Sequence, residues 1–355
     1  MPRTSTSLLL LVILLLIAGW SECRAQETGM LLGLRYETPI AQTLPYHAGG
    51  ADSLSRAAYT TLLLTEHEGV FVTWPEADAL LIPRPDGFWR VGTKRSVYNN
   101  WVEDFVWATP DGEPRTLAGI QPYNGEYCKG HRKQTILYAG PQYLSLDQRS
   151  AGYCEGAAHP WFFNTLAVVP LDSTTHAGLD ITDILGPAAY ETVVESTKAF
   201  LDGNENDDER IPYIEEPDAA NWGLIHNAGG WTALARLEAA EEARHNAFAD
   251  LPLAFDLPTS LTGQPQPAFD RERLEAFAPD AVDCFAAPGQ DWLVILHADH
   301  LTIHPLTPDT IGEAVTTLPV AHGARAVLVQ WTTGTPLQGW IRHFERLAQS
   351  SDTPP

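Results

Sequence analysis

The sequence predicts an α+β protein in which a β-rich N-terminal part is followed by strands mixed with helices. Three observations carry this expectation. Over residues 26–126, the short apolar or aromatic runs "TTLLL", "VFVTW", "ALLIP" and "FWRVG" are separated by "TEHEG", "PEAD" and "RPDG". Strand-length runs bounded by Gly, Pro and Asp read as consecutive antiparallel strands. Further on, Pro187 suits a first helical position, and Tyr190, Val193, Val194, Thr197 and Leu201 then recur on one helical face, packed on a sheet. Near the end, "LQGWIRHFERLA" turns Trp340, Ile341, Phe344 and Leu347 inward.

The elements follow in order. Arg3 precedes the apolar run Ser7–Gly19, and "CRA" ending at Ala25 places small residues where a signal peptidase reads, so residues 1–25 are expected to be a cleaved leader. That run is shorter than the roughly 20 residues a spanning helix needs, so an exported, periplasmic or extracellular product is expected, with no membrane span after leader removal. A β-rich domain over 26–126 and a second domain over 127–348 come next, with a frayed tail at 349–355. In the second domain "TILYAG" and "YLSLD" read as paired strands and "WFFNTLAVVPLD" as a longer one. "LIPRPDGFW" and "LIHNAGGW" share one pattern, an apolar strand, a glycine turn and a tryptophan opening the return strand. Two copies make a hairpin habit and not a solenoid. The polar stretch 202–218 is expected to be an acidic connector. Asp202, Asn204 and Asn206 echo a calcium loop, but Asp207 stands where that loop needs glycine and Tyr213 where it needs glutamate. A short helix over Arg271–Phe277, the hairpin "WLVILHADHLTIHPL" and the strand "ARAVLVQW" complete the pattern.

The formal net charge is −23, from 45 acidic and 22 basic residues. Such a field repels nucleic acid and anionic lipid and favours cationic partners, besides aiding solubility. After leader removal Cys128, Cys154 and Cys284 remain. In an oxidising compartment a Cys128–Cys154 bridge is expected, leaving Cys284 buried and free; pairing with Cys284 is the alternative. Cys128-x2-His131 and Cys154-x4-His159 also have ligand types and spacings that zinc accepts.

Candidate binding residues gather around these cysteines. Lys129, His131, Arg132 and Lys133 form a basic knuckle on an acidic chain, suited to a phosphate or a polysaccharide carboxylate, or else a solvated hairpin tip. His159 and Trp161 lie in "GAAHPW" beside Cys154. The cluster His297, His300 and His304 has either a metal-binding or a turn-and-edge-strand reading. Eleven tryptophans offer faces for sugar rings as well as core packing. The sequence holds no G-x-S-x-G elbow, H-E-x-x-H, phosphate loop or dinucleotide fingerprint, so no catalytic residue, cofactor or metal is assigned.

"YLSLDQRSAGYCEGAAHPWFFNTLAVVPLD", then "LDITDILG" and a helix, resembles the extracellular domain of RsiV-type anti-sigma factors over about residues 136–329. The family's small-small-Ala-His segment corresponds to Gly156, Ala157, Ala158 and His159, and its Asp-containing phrase to Thr182, Asp183, Ile184 and Leu185. The resemblance implies a sheet backed by helices and a sensor-like domain that binds lysozyme or accompanies cell-wall enzymes. The resulting expectation is a secreted, non-enzymatic envelope module that binds a basic, lysozyme-like protein or a cell-wall glycan. The alternative is a hydrolase of envelope polysaccharide using paired carboxylates.

Overall fold

The apolar runs of the sequence do become strands, and their turns are made as the residues dictate. In the computed structural model, β4 (Leu80–Arg84) and β5 (Gly87–Tyr98) form a hairpin with Ile82 opposite Trp89 and Arg84 opposite Gly87. Gly87 has φ +134°, a backbone angle that costs a side-chain-bearing residue dearly, so "RPDG" ends in glycine for a conformational reason. The related "LIHNAGGW" folds the same way: β10 (Trp222–Asn227) pairs with β11 (Gly230–Glu238), with His226 opposite Trp231. The described residues are 27–39, 55–67, 70–74, 77–98, 101–113, 128–156, 161–174, 178–203, 213–227, 230–239, 247–263 and 269–351. The expected leader, most of the acidic connector and the last residues of the tail lie outside them.

Two compact units divide the chain. Met1–Met30, Leu63–Pro75 and Trp331–Pro355 form the smaller, and Leu31–Leu62 with Glu76–Gln330 the larger. In the smaller unit the closing helix runs over Gly334–Ser351 and buries Leu337, Trp340, His343 and Phe344. Ile341 is only half-buried. Gly29 is a glycine because the Leu337 side chain occupies the space a Cβ would take. Gln338 donates to Glu27 at 2.9 Å.

Among the described residues strands make up 55% and helices 19%, which settles the class as mainly β. Six strands, β4, β5, β6 (Trp101–Pro110), β7 (Cys128–Ala139), β8 (Tyr143–Cys154) and β9 (Trp161–Pro170), form one sheet in sequence order. All its pairs are antiparallel except β6 with β7. β10, β11 and β12 (Phe248–Pro252) form a second sheet; β13 (Asp283–Ala286), β14 (Trp292–Leu296), β15 (His300–Pro305) and β16 (Thr316–Pro319) form a third. The fourth has the order β17 (Arg325–Thr333), β1 (Thr28–Pro39), β2 (Ser55–His67), β3 (Val70–Thr73), and enters the larger unit through residues 31–39, 55–62 and 325–330. In that unit the sheets are arranged as a four-bladed β-propeller with unequal blades.

The α+β expectation, with a sheet backed by helices, is therefore corrected. The amphipathic helix at Pro187–Gly203 exists and buries Ala189, Val193 and Thr197, although Val194 is exposed. Together with Ile181 it packs into one local cluster with Tyr138, Val168, Trp222, Leu224 and Ala235. A single helix covers too little of a six-stranded face, and a strand does the rest. Leu224 of β10 donates its N–H to Ser145 Oγ on β8, and Leu166 of β9 donates to Asn221 Oδ1, both at 2.8 Å. Gly223 has no side chain because a Cβ there would lie 2.6 Å from Ser145 Oγ. Sheet-on-sheet packing thus supplies the layer that the periodicity of one helix suggested.

A buried ion network ties these two blades together. Arg236 on β11 reaches Asp147 on β8 at 2.7 Å and Asp250 on β12 at 2.7 and 2.9 Å, and lies 4.0 Å from the Phe248 ring centroid. Arg149 holds the same Asp147 at 2.9–3.0 Å. Burial pushes the Asp147 carboxyl up, but Arg236 and Arg149 outweigh it and hold it below the usual carboxylate range.

Candidate functional site: a groove on the six-stranded sheet

Cys128 and Cys154 are cross-strand partners at the ends of β7 and β8 and form a disulfide with Cα atoms 4.0 Å apart. The two cysteines whose spacing to His131 and His159 also suited zinc are thereby joined to each other as a staple. Among the described residues no cluster of His, Cys, Asp and Glu could hold a metal ion. Cys284 is free and buried on β13, and burial beside Asp283 pushes its thiol up to about 12.

The strand geometry divides the basic knuckle. Successive side chains on a strand point to opposite faces, so Arg132 turns one way and His131 and Lys133 the other. Lys133 reaches Glu37 at 3.0 Å and Ser55 Oγ at 3.4 Å, and only 14% of its side chain is exposed. His131 is half-buried, opposite Ala151 on one side and Val102 on the other. Arg132 stays exposed, 3.5 Å from Glu103. Burial raises the Glu103 carboxyl while Arg132 draws it down. Lys129 and Trp161 are described as backbone only, opposite Tyr153 and Gly152, and His159 lies outside the described residues.

Arg132 has neighbours that the sequence does not reveal. Cross-strand register sets it opposite Ser150, which is opposite Phe163 on β9; one step along, Gln148 is opposite Thr165. Trp101 of β6 is opposite Gly130. A Cβ at Gly130 would lie 2.8 Å from the Trp101 ring and collide with the Ala151 carbonyl oxygen. The glycine therefore lets the indole lie down on β7 as a floor. Trp101, Arg132, Gln148, Arg149, Ser150, Phe163 and Thr165 line an open groove of about 570 Å³. Phe163 is 59% exposed and forms an apolar wall, while guanidinium, amide and hydroxyl groups offer hydrogen bonds. That size and mixture suit an organic ligand. The signal missed in the sequence was "QRSAGYC" read against "WFFNT": the alternate residues Gln148 and Ser150, and Phe163 and Thr165, form one surface only once β8 and β9 are paired.

The histidine cluster has a structural explanation. His297 and His300 stack at 4.3 Å with rings 4° from parallel. His297 Nδ1 meets Asp280 at 3.1 Å and its Nε2 meets Thr302 Oγ1 at 3.2 Å; Thr302 also meets His304 Nε2 at 2.8 Å. His304 Nδ1 donates to the Gly312 carbonyl at 2.9 Å. Thr302 has one hydroxyl proton, so it donates to one imidazole and accepts from the other. His297, Thr302 and His304 thus form a hydrogen-bonded row beside β15, with the His300 ring stacked on His297.

No protein-family model matches the chain, and no curated protein matches it. No helix of the described residues is long and apolar enough to cross a membrane.

Proposed function

We propose that this is an exported envelope protein whose groove holds a cell-wall glycan. The observation that carries the reading is the groove itself, where an exposed aromatic ring, a buried indole floor and short polar side chains come together. Sugar rings present flat C–H faces that pack on aromatics, and a hydroxyl rim that suits guanidinium, amide and hydroxyl partners. The disulfide is consistent with folding in an oxidising compartment, as is the leader-like run Ser7–Gly19. Arg132 and Arg149 line the groove and are each offset by a carboxylate behind it, Glu103 and Asp147, which favours a neutral or weakly acidic glycan.

The test is calorimetric titration of soluble cell-wall glycan fragments into wild type and Phe163→Ala. Loss of binding with an unchanged denaturation midpoint supports the reading, because Phe163 contributes little to the core. Equal affinity in both proteins refutes it. Release of reducing ends during the titration would transfer the groove to a polysaccharide hydrolase.

A second reading follows from the net charge of −23, which attracts a basic, lysozyme-like protein. Such a complex weakens steeply with added salt, whereas glycan binding in the groove does not.

A further inference from the structure

A second cavity lies in the larger unit, away from the glycan groove. It measures about 210 Å³ and is lined by Arg35 of β1, Arg325, Ala326 and Val327 of β17, Leu137 of β7, and Ile225 and His226 of β10. Strands of three blades meet there, and the fourth reaches it through Asp283 of β13, which binds His226 Nδ1 at 2.7 Å. The His226 side chain is fully buried, with Trp231 at 4.9 Å and Phe285 at 5.0 Å between ring centroids. Asp283 Oδ1 also accepts the Cys284 N–H at 2.9 Å, so the carboxylate is fixed behind the imidazole. With an ionised carboxylate as acceptor, His226 Nδ1 is the protonated nitrogen.

The arginines are the informative feature. Acidic residues outnumber basic ones 45 to 22 in this chain, and elsewhere a guanidinium commonly finds a carboxylate: Arg95 with Asp104, Arg132 with Glu103, Arg149 with Asp147, Arg236 with Asp147 and Asp250. Among the described residues neither Arg35 nor Arg325 has an ion-pair partner, yet both line the same small cavity. Leu137, Ile225, Ala326 and Val327 supply apolar wall, which lowers the local dielectric and strengthens any charge-assisted hydrogen bond made there. Arg35 is half-buried and Arg325 exposed, so a ligand has access from solvent. At roughly 30 Å³ per water molecule, the cavity has room for about seven waters, enough for a small ion and too little for a glycan segment.

We propose that this cavity binds a small oxyanion, a phosphate or carboxylate group, between the guanidinium groups of Arg35 and Arg325. The imidazole held by Asp283 forms the rigid opposite wall. The site is separate from the glycan groove and does not depend on it.

Calorimetric titration of the full chain with inorganic phosphate, and separately with acetate, tests the assignment. Melting temperature alone is insufficient, because phosphate stabilises folded proteins by exclusion from their surface. Saturable binding of either anion is expected, weakened at least about tenfold in Arg325→Gln and again in the double variant Arg35→Gln/Arg325→Gln, as loss of a charged hydrogen-bonding partner implies. Preference for phosphate identifies a phosphoryl ligand, and preference for acetate a carboxylate. Arg325 is exposed, so its replacement leaves folding intact, and an unchanged denaturation midpoint checks this. Absence of saturable binding by both anions, or unaltered affinity in a folded Arg325→Gln protein, overturns the proposal.

Discussion

Replacing Arg236 with methionine tests whether the buried ion network holds two blades together. The guanidinium is 2% exposed and serves two carboxylates of different standing. Asp250 is 32% exposed and regains water when Arg236 is lost. Asp147 is only 11% exposed and keeps Arg149 alone, at 2.9–3.0 Å. Breaking a buried pair from one side typically costs about 3–5 kcal/mol, and the surviving Arg149 contact sets the expected loss near the lower end, about 3 kcal/mol. Urea denaturation at neutral pH measures it, and Asp147→Asn/Arg236→Met should recover part of the loss by removing the stranded charge.

A pH series sharpens the test. In the wild type the folded Asp147 carboxyl lies below its unfolded value of about 3.9, so its contribution is complete above that value and disappears as pH falls through the folded one. In Arg236→Met, burial acts with less opposition and raises the folded value instead. Protonation then relieves the stranded charge, so the gap between variant and wild type should narrow as the solution is acidified through the carboxylate range. A loss under about 1 kcal/mol, the scale of a surface pair, or a gap that widens toward acid, would refute the reasoning.

Three further outcomes are expected. The disulfide closes a loop with a sequence separation of 26, so Cys128→Ser/Cys154→Ser should lose about 3.5 kcal/mol on the chain-entropy relation, measured by urea denaturation. Gly130→Ala should cost about 1–3 kcal/mol, because a methyl group there meets the Ala151 carbonyl and lifts the Trp101 ring; intrinsic tryptophan fluorescence should shift with it. Cys284, buried with its thiol raised to about 12, should resist a thiol reagent at pH 8 in native protein and react promptly in denaturant.

How far the sequence could be read depended on the range of each interaction. Hairpins were legible because their determinants are adjacent: Gly87 in "RPDG" and Gly230 in "NAGG" fix two turns, and the tryptophan after each begins the return strand. The helices over Pro187–Gly203 and Arg271–Phe277 were legible for the same reason, since spacing and first-turn residues lie within one window. The cysteine pair was legible because few thiols were available. The fold class was not, because periodicity records that a face is buried without recording what buries it. The face expected to lie under helices lies under β10 instead, through the Leu224–Ser145 and Leu166–Asn221 contacts across dozens of residues.

The candidate site divides along the same line. The acidic charge, the small number of thiols and the basic residues that follow Cys128 could be read directly from the chain, and the structure chose Cys154 over Cys284 as the partner of Cys128. It took the folded chain to turn Lys133 away to Glu37, to set Phe163, Ser150 and Arg132 in one row, and to bring Arg35 and Arg325 to one cavity with His226. The reason is physical: local propensity and turn chemistry act over a few residues. Strand register and blade packing are set by contacts between segments far apart in the chain, and one residue of register decides which side chains meet.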